Sequence, residues 1–352
     1  MKGLDTNKIY NEPCLETVAR MPDNYLDCVI TSPPYWQLRD YGYEGQWGLE
    51  PTYQQYLEHL WSLMDAIYPK LKDGGTVWVN LGDTYARGSR SKDGTNHTVI
   101  KKSKEHHIEP DTKPEYGGLD KCLLLIPHRF AIGCIDRGWI MRNDIIWAKR
   151  NGMPESVTDR FSKKHEYFFF MVKNEKYYFD LDAIRDEHKQ VSIERALRGV
   201  GETNKWIEGP DGQTPHGLSQ ARPNITTKIP KNQAEMFGSP IARQHREGDK
   251  NNADGLNPLG KNPGSVSDFW DIPTKPSSRK HYASYNETLI TKPILAGCPK
   301  GGIIYDPFMG TGSTAEAAIR AGRNFIGSEM STDYCKISNK RLQPFLMQTT
   351  LF

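Results

Sequence analysis

The chain has 352 residues, 37% hydrophobic and 25% charged, with 31 glycines, 23 prolines and a formal net charge of +3. This is the composition of a loop-rich globular chain, long enough for one large α/β domain plus a smaller lobe or for two ordinary domains, and so small a charge does not by itself announce nucleic acid. No apolar run approaches the ~20 residues that cross a bilayer, the opening MKGLDTNKIY lacks the apolar stretch of a signal peptide, and the six cysteines (Cys14, Cys28, Cys122, Cys134, Cys298, Cys335) stand apart with no CxxC.

That cysteine spacing points away from a disulfide framework or a zinc site and toward reduced, packed thiols in a cytoplasmic protein. In chain order, Lys8–Tyr10 has strand character and Leu15–Met21 helical character. The apolar strand Leu26–Ile30 ends abruptly in Thr31-Ser32-Pro33-Pro34-Tyr35-Trp36. Tyr56, Leu60, Leu63, Met64, Ile67 and Leu71 recur at helical spacing over 53–71. Asp73-Gly74-Gly75 is expected to stop that helix before a strand over Thr76–Asn80. A helix is expected over Leu119–Arg137, then strands over Ile140–Trp147 and His165–Val172. Residues 86–118 and 187–265 are polar, with little periodicity, and suit insertions or mobile loops. Beyond them the rhythm returns, with helices over Tyr285–Ala296, Ser313–Ala321 and Asp333–Leu342, and strands over Gly302–Tyr305 and Asn324–Gly327. Strands alternating with helices imply a mostly parallel sheet covered on both faces.

Two motifs carry chemistry. Asp306-Pro307-Phe308-Met309-Gly310-Thr311-Gly312 follows a strand and opens a helix, where glycines let the backbone turn and free N–H groups face a ligand. One β-α-β unit later, Glu329 stands at the end of the next strand, where an acid accepts hydrogen bonds from ribose hydroxyls. A bare Gly-Thr-Gly is equally a plain tight turn; coupled to Glu329 it favours a ribose-bearing cofactor. No Lys follows Gly312, so this is not a phosphate-binding loop.

The second motif, Ser32-Pro33-Pro34-Tyr35, sits at the carboxyl end of a strand, where open parallel sheets bind ligands. Two prolines force the chain out of the ladder in a stiff, extended turn. The bland alternative is a loop that merely packs its aromatics. The chemical alternative is a fixed array, with the Ser32 hydroxyl and the Pro33 carbonyl as acceptors for an amino group and Tyr35 as a stacking face. An exocyclic amine on a base is a poor nucleophile, and hydrogen bonds from its N–H groups to oxygen localise the lone pair and draw off the proton. Such a base must first be flipped out of the duplex.

The two motifs together resemble the permuted β group of DNA amino-methyltransferases, in which the S/D-P-P-Y motif precedes the cofactor motif. The resemblance spans residues 7–83, 119–185 and 268–342, and implies a Rossmann-like α/β methyltransferase fold using S-adenosyl-L-methionine, with S-adenosyl-L-homocysteine as product and no metal. It implies three regions: a catalytic half over 1–185 with the 86–118 insertion, a loop-rich target-recognition region over 186–267, and a cofactor half over 268–352. It assigns Ser32, Pro33, Pro34 and Tyr35 to catalysis. Asn80 and Asp83 compete to help Ser32 lose its proton, and Asp83 is the ionisable one. Asp306, Phe308, Gly310, Gly312, Glu329, Ser284 and Lys292 are implied for the cofactor. Where such families often carry an Asp near the adenine, this chain has Asn11-Glu12-Pro13-Cys14, so Glu12 or Cys14 serves there, or the backbone does. Trp139–Pro154, including Arg142 and Trp147, resembles the segment beside the target-base pocket.

Serine at the head of the motif tilts the expectation to cytosine N4, as in site-specific enzymes of restriction-modification systems. Adenine N6 in DNA, RNA methylation, and a catalytically inactive DNA-binding partner are the alternatives. Double-stranded DNA is the expected partner and a cognate restriction endonuclease a further one, with no membrane, a nucleoid-associated location, and a monomer or homodimer. DNA contacts are expected from Lys101 and Lys102 and from Arg222, Lys228, Lys231, Arg243 and Arg246, although each run taken alone is more often a solvated face.

Overall fold

A computed structural model describes residues 3–86, 121–152, 155–185, 267–274 and 287–349. The chain divides into two compact units, residues 1–184 with 267–352, and residues 185–266. Beyond Arg185 the second unit lies outside the described residues.

The first unit is built on one eight-stranded sheet. Its strands are β1 (Lys8–Tyr10), β2 (Leu26–Thr31), β3 (Leu71–Leu81), β4 (Ile140–Ala148), β5 (His165–Val172), β6 (Phe269–Asp271), β7 (Ile303–Asp306) and β8 (Asn324–Ser328). Their spatial order is β1-β8-β7-β2-β3-β5-β4-β6. All neighbouring pairs are parallel except those that β5 makes with β3 and β4, so β5 alone runs backwards. The carboxyl ends of β1, β8, β7, β2, β3 and β4 therefore share one edge with the amino end of β5.

Helices α1 (Cys14–Ala19), α2 (Tyr53–Ile67) and α3 (Ile126–Asp136) supply one hydrophobic core. Helices α4 (Glu287–Gly297), α5 (Ser313–Arg320) and α6 (Thr332–Thr349) supply the other, on the opposite face. Alternation along the strands serves both layers: Val77 and Val79 of β3 join the first core and Trp78 the second. In α2 the apolar spacing becomes one buried stripe of Tyr56, Leu57, Leu60, Leu63, Met64 and Ile67, opened by the Thr52 side chain accepting the Gln55 amide.

Three sequence expectations shift. Asp73-Gly74-Gly75 does not stop a helix before a new strand but lies inside β3, whose pairing with β2 shifts register between Leu26 and Cys28. A Cβ on Gly75 would stand 2.6 Å from the Leu71 side chain, so glycine admits the irregularity. Helix α3 begins at Ile126, with Pro127 in its first turn where a missing N–H is harmless. Strand β6 was not anticipated, since three residues flanked by polar sequence give no periodic signal. All six cysteines are free thiols, and only Cys122 is exposed. No described helix is long and apolar enough to cross a membrane.

Candidate active site

The two motifs, 274 residues apart between Ser32 and Asp306, come from adjacent strands, because β2 pairs with β7. A buried bond joins them: the Thr31 hydroxyl donates to Asp306 Oδ1 at 2.9 Å. Asp306 also accepts the Phe308 amide at 3.0 Å and the Thr314 hydroxyl at 2.5 Å. Its carboxylate thus braces the glycine loop, the start of α5 and the strand that delivers Ser32. Gly310 and Gly312 take positive φ of 55° and 82°, which favours glycine at both. A Cβ on Gly312 would also crowd Ser338 at 3.2 Å, and Ser338 donates its hydroxyl to the Gly310 carbonyl at 2.7 Å.

Glu329, directly after β8, is buried and accepts the Gly310 amide at 2.8 Å and the Ser331 amide at 2.7 Å. Burial pushes its carboxyl above the ordinary glutamate range, and the two amides offset part of that push. Asn11, just past β1, holds the same segment by donating to the carbonyls of Glu329 and Met330 at 2.8 and 2.9 Å. The loop after Trp36 adds aromatic surface. Tyr41 stacks on Tyr43 with centroids 6.3 Å apart and meets Tyr334 edge-on at 6.5 Å. Trp47 lies 5.3 Å from Phe308. Burial raises the Tyr43 phenol pKa, and the Glu329 carboxylate adds to the rise, so Tyr43 stays protonated. A buried carboxylate with spare lone pairs, a positive-φ glycine loop and aromatic walls together fit a ribose-and-purine group.

Around Ser32 the turn is held firmly. The Tyr56 hydroxyl donates to the Pro34 carbonyl at 2.8 Å, and the Trp36 indole N–H to the Glu50 carbonyl at 2.9 Å. Ser32 Oγ donates to Asn80 Oδ1 at 3.4 Å, while Asn80 Nδ2 donates to the Tyr167 carbonyl at 3.0 Å. The Tyr35 hydroxyl faces two acceptors, Asn80 Oδ1 at 3.0 Å and Glu166 Oε2 at 2.8 Å. Lys149 pairs with Glu166 Oε1 and lies 4.4 Å from the Trp147 ring centroid. Burial, and then the Glu166 carboxylate, hold the Tyr35 pKa well above its ordinary value, so the phenol keeps its proton. Its ring fits because residue 82 is glycine: a Cβ there would stand 2.5 Å from Tyr35 Cε2.

The expected site residues fall into three groups. Ser32, Pro33, Pro34, Tyr35, Asp306, Phe308, Gly310, Gly312 and Glu329 gather at the carboxyl edge. Asp83 and Glu12 do not occupy the expected places. Asn80, not Asp83, meets Ser32; Asp83 Oδ1 instead accepts the Thr84 and Ile126 amides, capping α3, and burial raises its pKa. Glu12 Oε1 is taken by the Thr17 hydroxyl at 2.7 Å and by Arg20, so it serves α1. Arg142 lies near the amino end of β4 and donates to the Tyr177 hydroxyl at 2.8 Å, away from the carboxyl edge. Lys292 is half-buried on α4. Ser284, Lys101, Lys102, Arg222, Lys228, Lys231, Arg243 and Arg246 lie outside the described residues.

Glu166, Lys149, Asn11 and Thr31 were missed as site residues. A charge opening the otherwise apolar strand His165–Val172 was the available signal for Glu166. Among the described residues no group of three or more His, Cys, Asp or Glu could hold a metal ion.

The chain is similar to known proteins in sequence and in fold. A family model described as DNA methylase, of the N6/N4 methyltransferases, matches residues 26–340. The Type II methyltransferase M.Cfr9I of Citrobacter freundii is 31% identical over 338 residues, covering 95% of this chain and 87% of its own. The Type II methyltransferase M.SmaI of Serratia marcescens is 31% identical over 343 residues, covering 97% and 92%. Among solved structures, the PvuII DNA methyltransferase (cytosine-N4-specific) shares the fold at a TM-score of 0.56 and 16% identity, over 96% of this chain and 87% of that one. A Thermus thermophilus protein solved in complex with S-adenosyl-L-methionine does so at a TM-score of 0.51 and 18% identity, over 96% and 94%. With a family match across most of its length and full-length relatives above 30% identity, the chain belongs to the N6/N4 DNA methylase family.

Proposed function

We propose that the chain transfers the methyl group of S-adenosyl-L-methionine to N4 of a flipped-out cytosine in double-stranded DNA, releasing S-adenosyl-L-homocysteine. The observation that carries this reading is Ser32: a serine, not an acid, heads the Pro-Pro-Tyr turn, and its Oγ lies 3.4 Å from Asn80 Oδ1. A Ser32 hydroxyl that donates to Asn80 turns its lone pairs toward an incoming amine. The Pro34 carbonyl is already engaged by Tyr56, which leaves the Pro33 carbonyl as the second acceptor of the turn. These two oxygens accept the amine hydrogens and localise the nitrogen lone pair for the new N–C bond, and the surplus proton of the methylated amine is released to solvent. Tyr35 offers a ring face for the base, held in place by Gly82 and Glu166.

When bound, the cofactor supplies an electrophilic methyl. Glu329 accepts its ribose hydroxyls, Phe308, Tyr41 and Tyr43 border its purine, and Asp306, Gly310 and Gly312 shape the loop beside it. Ser284 and Lys292 complete this set on resemblance alone. Residues 186–267 read the target, with Arg222, Lys228, Lys231, Arg243 and Arg246 on phosphates and Lys101 and Lys102 assisting from the first insertion. A restriction endonuclease cutting the same sequence is the matching partner.

The deciding experiment incubates the protein with methyl-labelled cofactor and DNA, digests the DNA and identifies the labelled nucleoside by mass spectrometry. N4-methylcytosine is expected. N6-methyladenine overturns the cytosine reading but keeps amino-methyl transfer, and no labelled nucleoside overturns both.

A further inference from the structure

Between β4 and β5, at the edge that carries Tyr35, the described residues 155–164 are held by several hydrogen bonds. Glu155 Oε2 accepts Arg160 Nη1 at 2.6 Å and the Lys163 amide at 3.3 Å. Burial pushes the Glu155 carboxyl up, but Arg160 and the Lys163 amide outweigh it and leave the group below its ordinary value, so the pairing persists. The Arg160 guanidinium lies 4.0 Å from the Tyr85 ring centroid and donates to the Phe161 carbonyl at 3.1 Å. Lys163 donates to the Asp83 carbonyl. Tyr85 and Asp83 follow directly on β3, so the turn is anchored to the end of the strand that carries Asn80.

Within this segment Phe161 is 97% exposed, whereas the other exposed large hydrophobics among the described residues reach at most 59%. Single apolar residues on a surface are ordinary, but a mobile loop would fold such a ring against its neighbours. Here the ties at Glu155, Tyr85 and Asp83 hold it in water, and the stabilisation that burying a phenylalanine brings is forgone. Of the cations around it in sequence, Lys149, Arg150 and Arg160 pair with Glu166, Asp271 and Glu155, while Lys163 and Lys164 donate to the Asp83 and Gly152 carbonyls and add the positive charge that suits an anionic partner. Glu166, five residues on, bonds the hydroxyl of Tyr35.

We propose that Phe161 is a wedge that enters the base stack of duplex DNA where the target base leaves it, while the neighbouring cations meet the phosphates. The inference rests on the base-methylation reading above. Extruding a base opens a gap in the stack, and an apolar side chain that fills it lowers the free energy of the open state. A ring carried on backbone that is already held does so at a smaller loss of conformational freedom.

The test compares the wild type with Phe161→Ala on two oligonucleotide duplexes carrying the position that the wild type methylates. In one the target base is paired; in the other it faces an abasic site and is already loosely held. Phe161→Ala should reduce kcat/KM on the paired duplex by roughly ten- to hundredfold, the range for losing one aromatic–base stack. On the abasic duplex the deficit should shrink to within about threefold, since little unstacking remains. Phe161→Trp should retain most of the wild-type rate on both. Equal deficits on the two duplexes, or no deficit on either, overturn the wedge; they point instead to a general DNA contact or to a surface for a protein partner. The wild type serves as the separate check: if it transfers no methyl group to DNA, the underlying functional reading fails, whatever the variant does. An almost fully exposed side chain can be removed without unfolding the chain, and thermal melting should confirm equal stability.

Discussion

The Tyr35 hydroxyl has one hydrogen and two acceptors, which makes Glu166→Gln a sharp perturbation. Asn80 Oδ1 lies 3.0 Å away and Glu166 Oε2 2.8 Å away. A hydrogen bond to a charged acceptor is shorter and roughly twice as strong as a neutral one, and Lys149 supports that charge. The hydrogen therefore goes to Glu166, and Asn80 Oδ1 is left to the Ser32 hydroxyl. With glutamine the charge is lost, and either a neutral carbonyl or an amide N–H faces the tyrosine oxygen. Tyr35 then turns its hydrogen to Asn80 and competes with Ser32, whose own bond is already long at 3.4 Å. The difference between charged and neutral bonds is about 1–2 kcal/mol, or roughly a five- to thirtyfold fall in kcat. KM for DNA and for cofactor should stay within about twofold, because no group touching either is removed. Steady-state kinetics of Glu166→Gln, Tyr35→Phe and the double variant provide the assay. The coupling must vanish without the hydroxyl, so Glu166→Gln should change the rate less than about twofold in a Tyr35→Phe background. A full Glu166→Gln deficit in that background would refute the argument and leave Glu166 as a packing residue.

Other outcomes follow from the same geometry. Ser32→Ala should lower turnover at least ~100-fold, the scale of a lost acid–base group, in a methyl-transfer assay with the cofactor dissociation constant unchanged. Glu329→Gln should weaken cofactor binding in calorimetry, and the wild type should show a matching pH dependence. The cofactor hydroxyls need the ionised carboxylate, whose pKa is raised by burial, so affinity should fall on acidification, starting at a higher pH than for an ordinary glutamate; Glu329→Gln should be flat over that range. Gly82→Ala places a methyl 2.5 Å from Tyr35 Cε2 and should cost about 1–3 kcal/mol of stability or displace the ring, measured by denaturant unfolding and kcat together. Thr31→Val leaves the buried Asp306 one donor short and should cost about 1–3 kcal/mol, seen as a lower melting temperature.

Which parts of this site were visible in the sequence depends on how local their causes are. The Ser32-Pro33-Pro34-Tyr35 turn and the Gly310–Gly312 loop are dictated by residues within a few positions, so their place at strand ends could be read directly. The α2 stripe was equally plain, since Tyr56 to Ile67 repeat at helical spacing. Partners were a different matter. The choice between Asn80 and Asp83 hangs on where β3 ends and on what borders it. Asn80 is still within the strand and anchors to the Tyr167 carbonyl of β5, while Asp83 is three residues on, where the Ile126 amide claims it. Because β5 runs backwards, its amino end joins the catalytic edge and brings Glu166 to Tyr35, a pairing 131 residues apart that no period announces. Charge misled as well: Glu12 and Asp83 attract attention as ionisable groups, yet Glu12 bonds Thr17 of α1 and Arg20 just past it, and Asp83 Oδ1 accepts the first amide of α3.

The bond between Thr31 and Asp306 also bears on the distance between the two motifs. A permuted chain order needs the two motifs to be neighbours only in space, and β2–β7 pairing meets that need with just two register pairs, Cys28 with Ile304 and Val29 with Tyr305. Beyond them the strands part, and the gap between the two turns is where a donor group and an acceptor group must face each other. Thr31 donates across that parting to the carboxylate that also holds the Phe308 amide and the Thr314 hydroxyl. The separation of the Ser32 turn from the glycine loop is thereby set by buried hydrogen bonds instead of by loop length. Methyl transfer between two bound groups depends on their distance to within about an ångström. A fixed span between the motifs accordingly matters more to the reaction than the order in which the chain visits them.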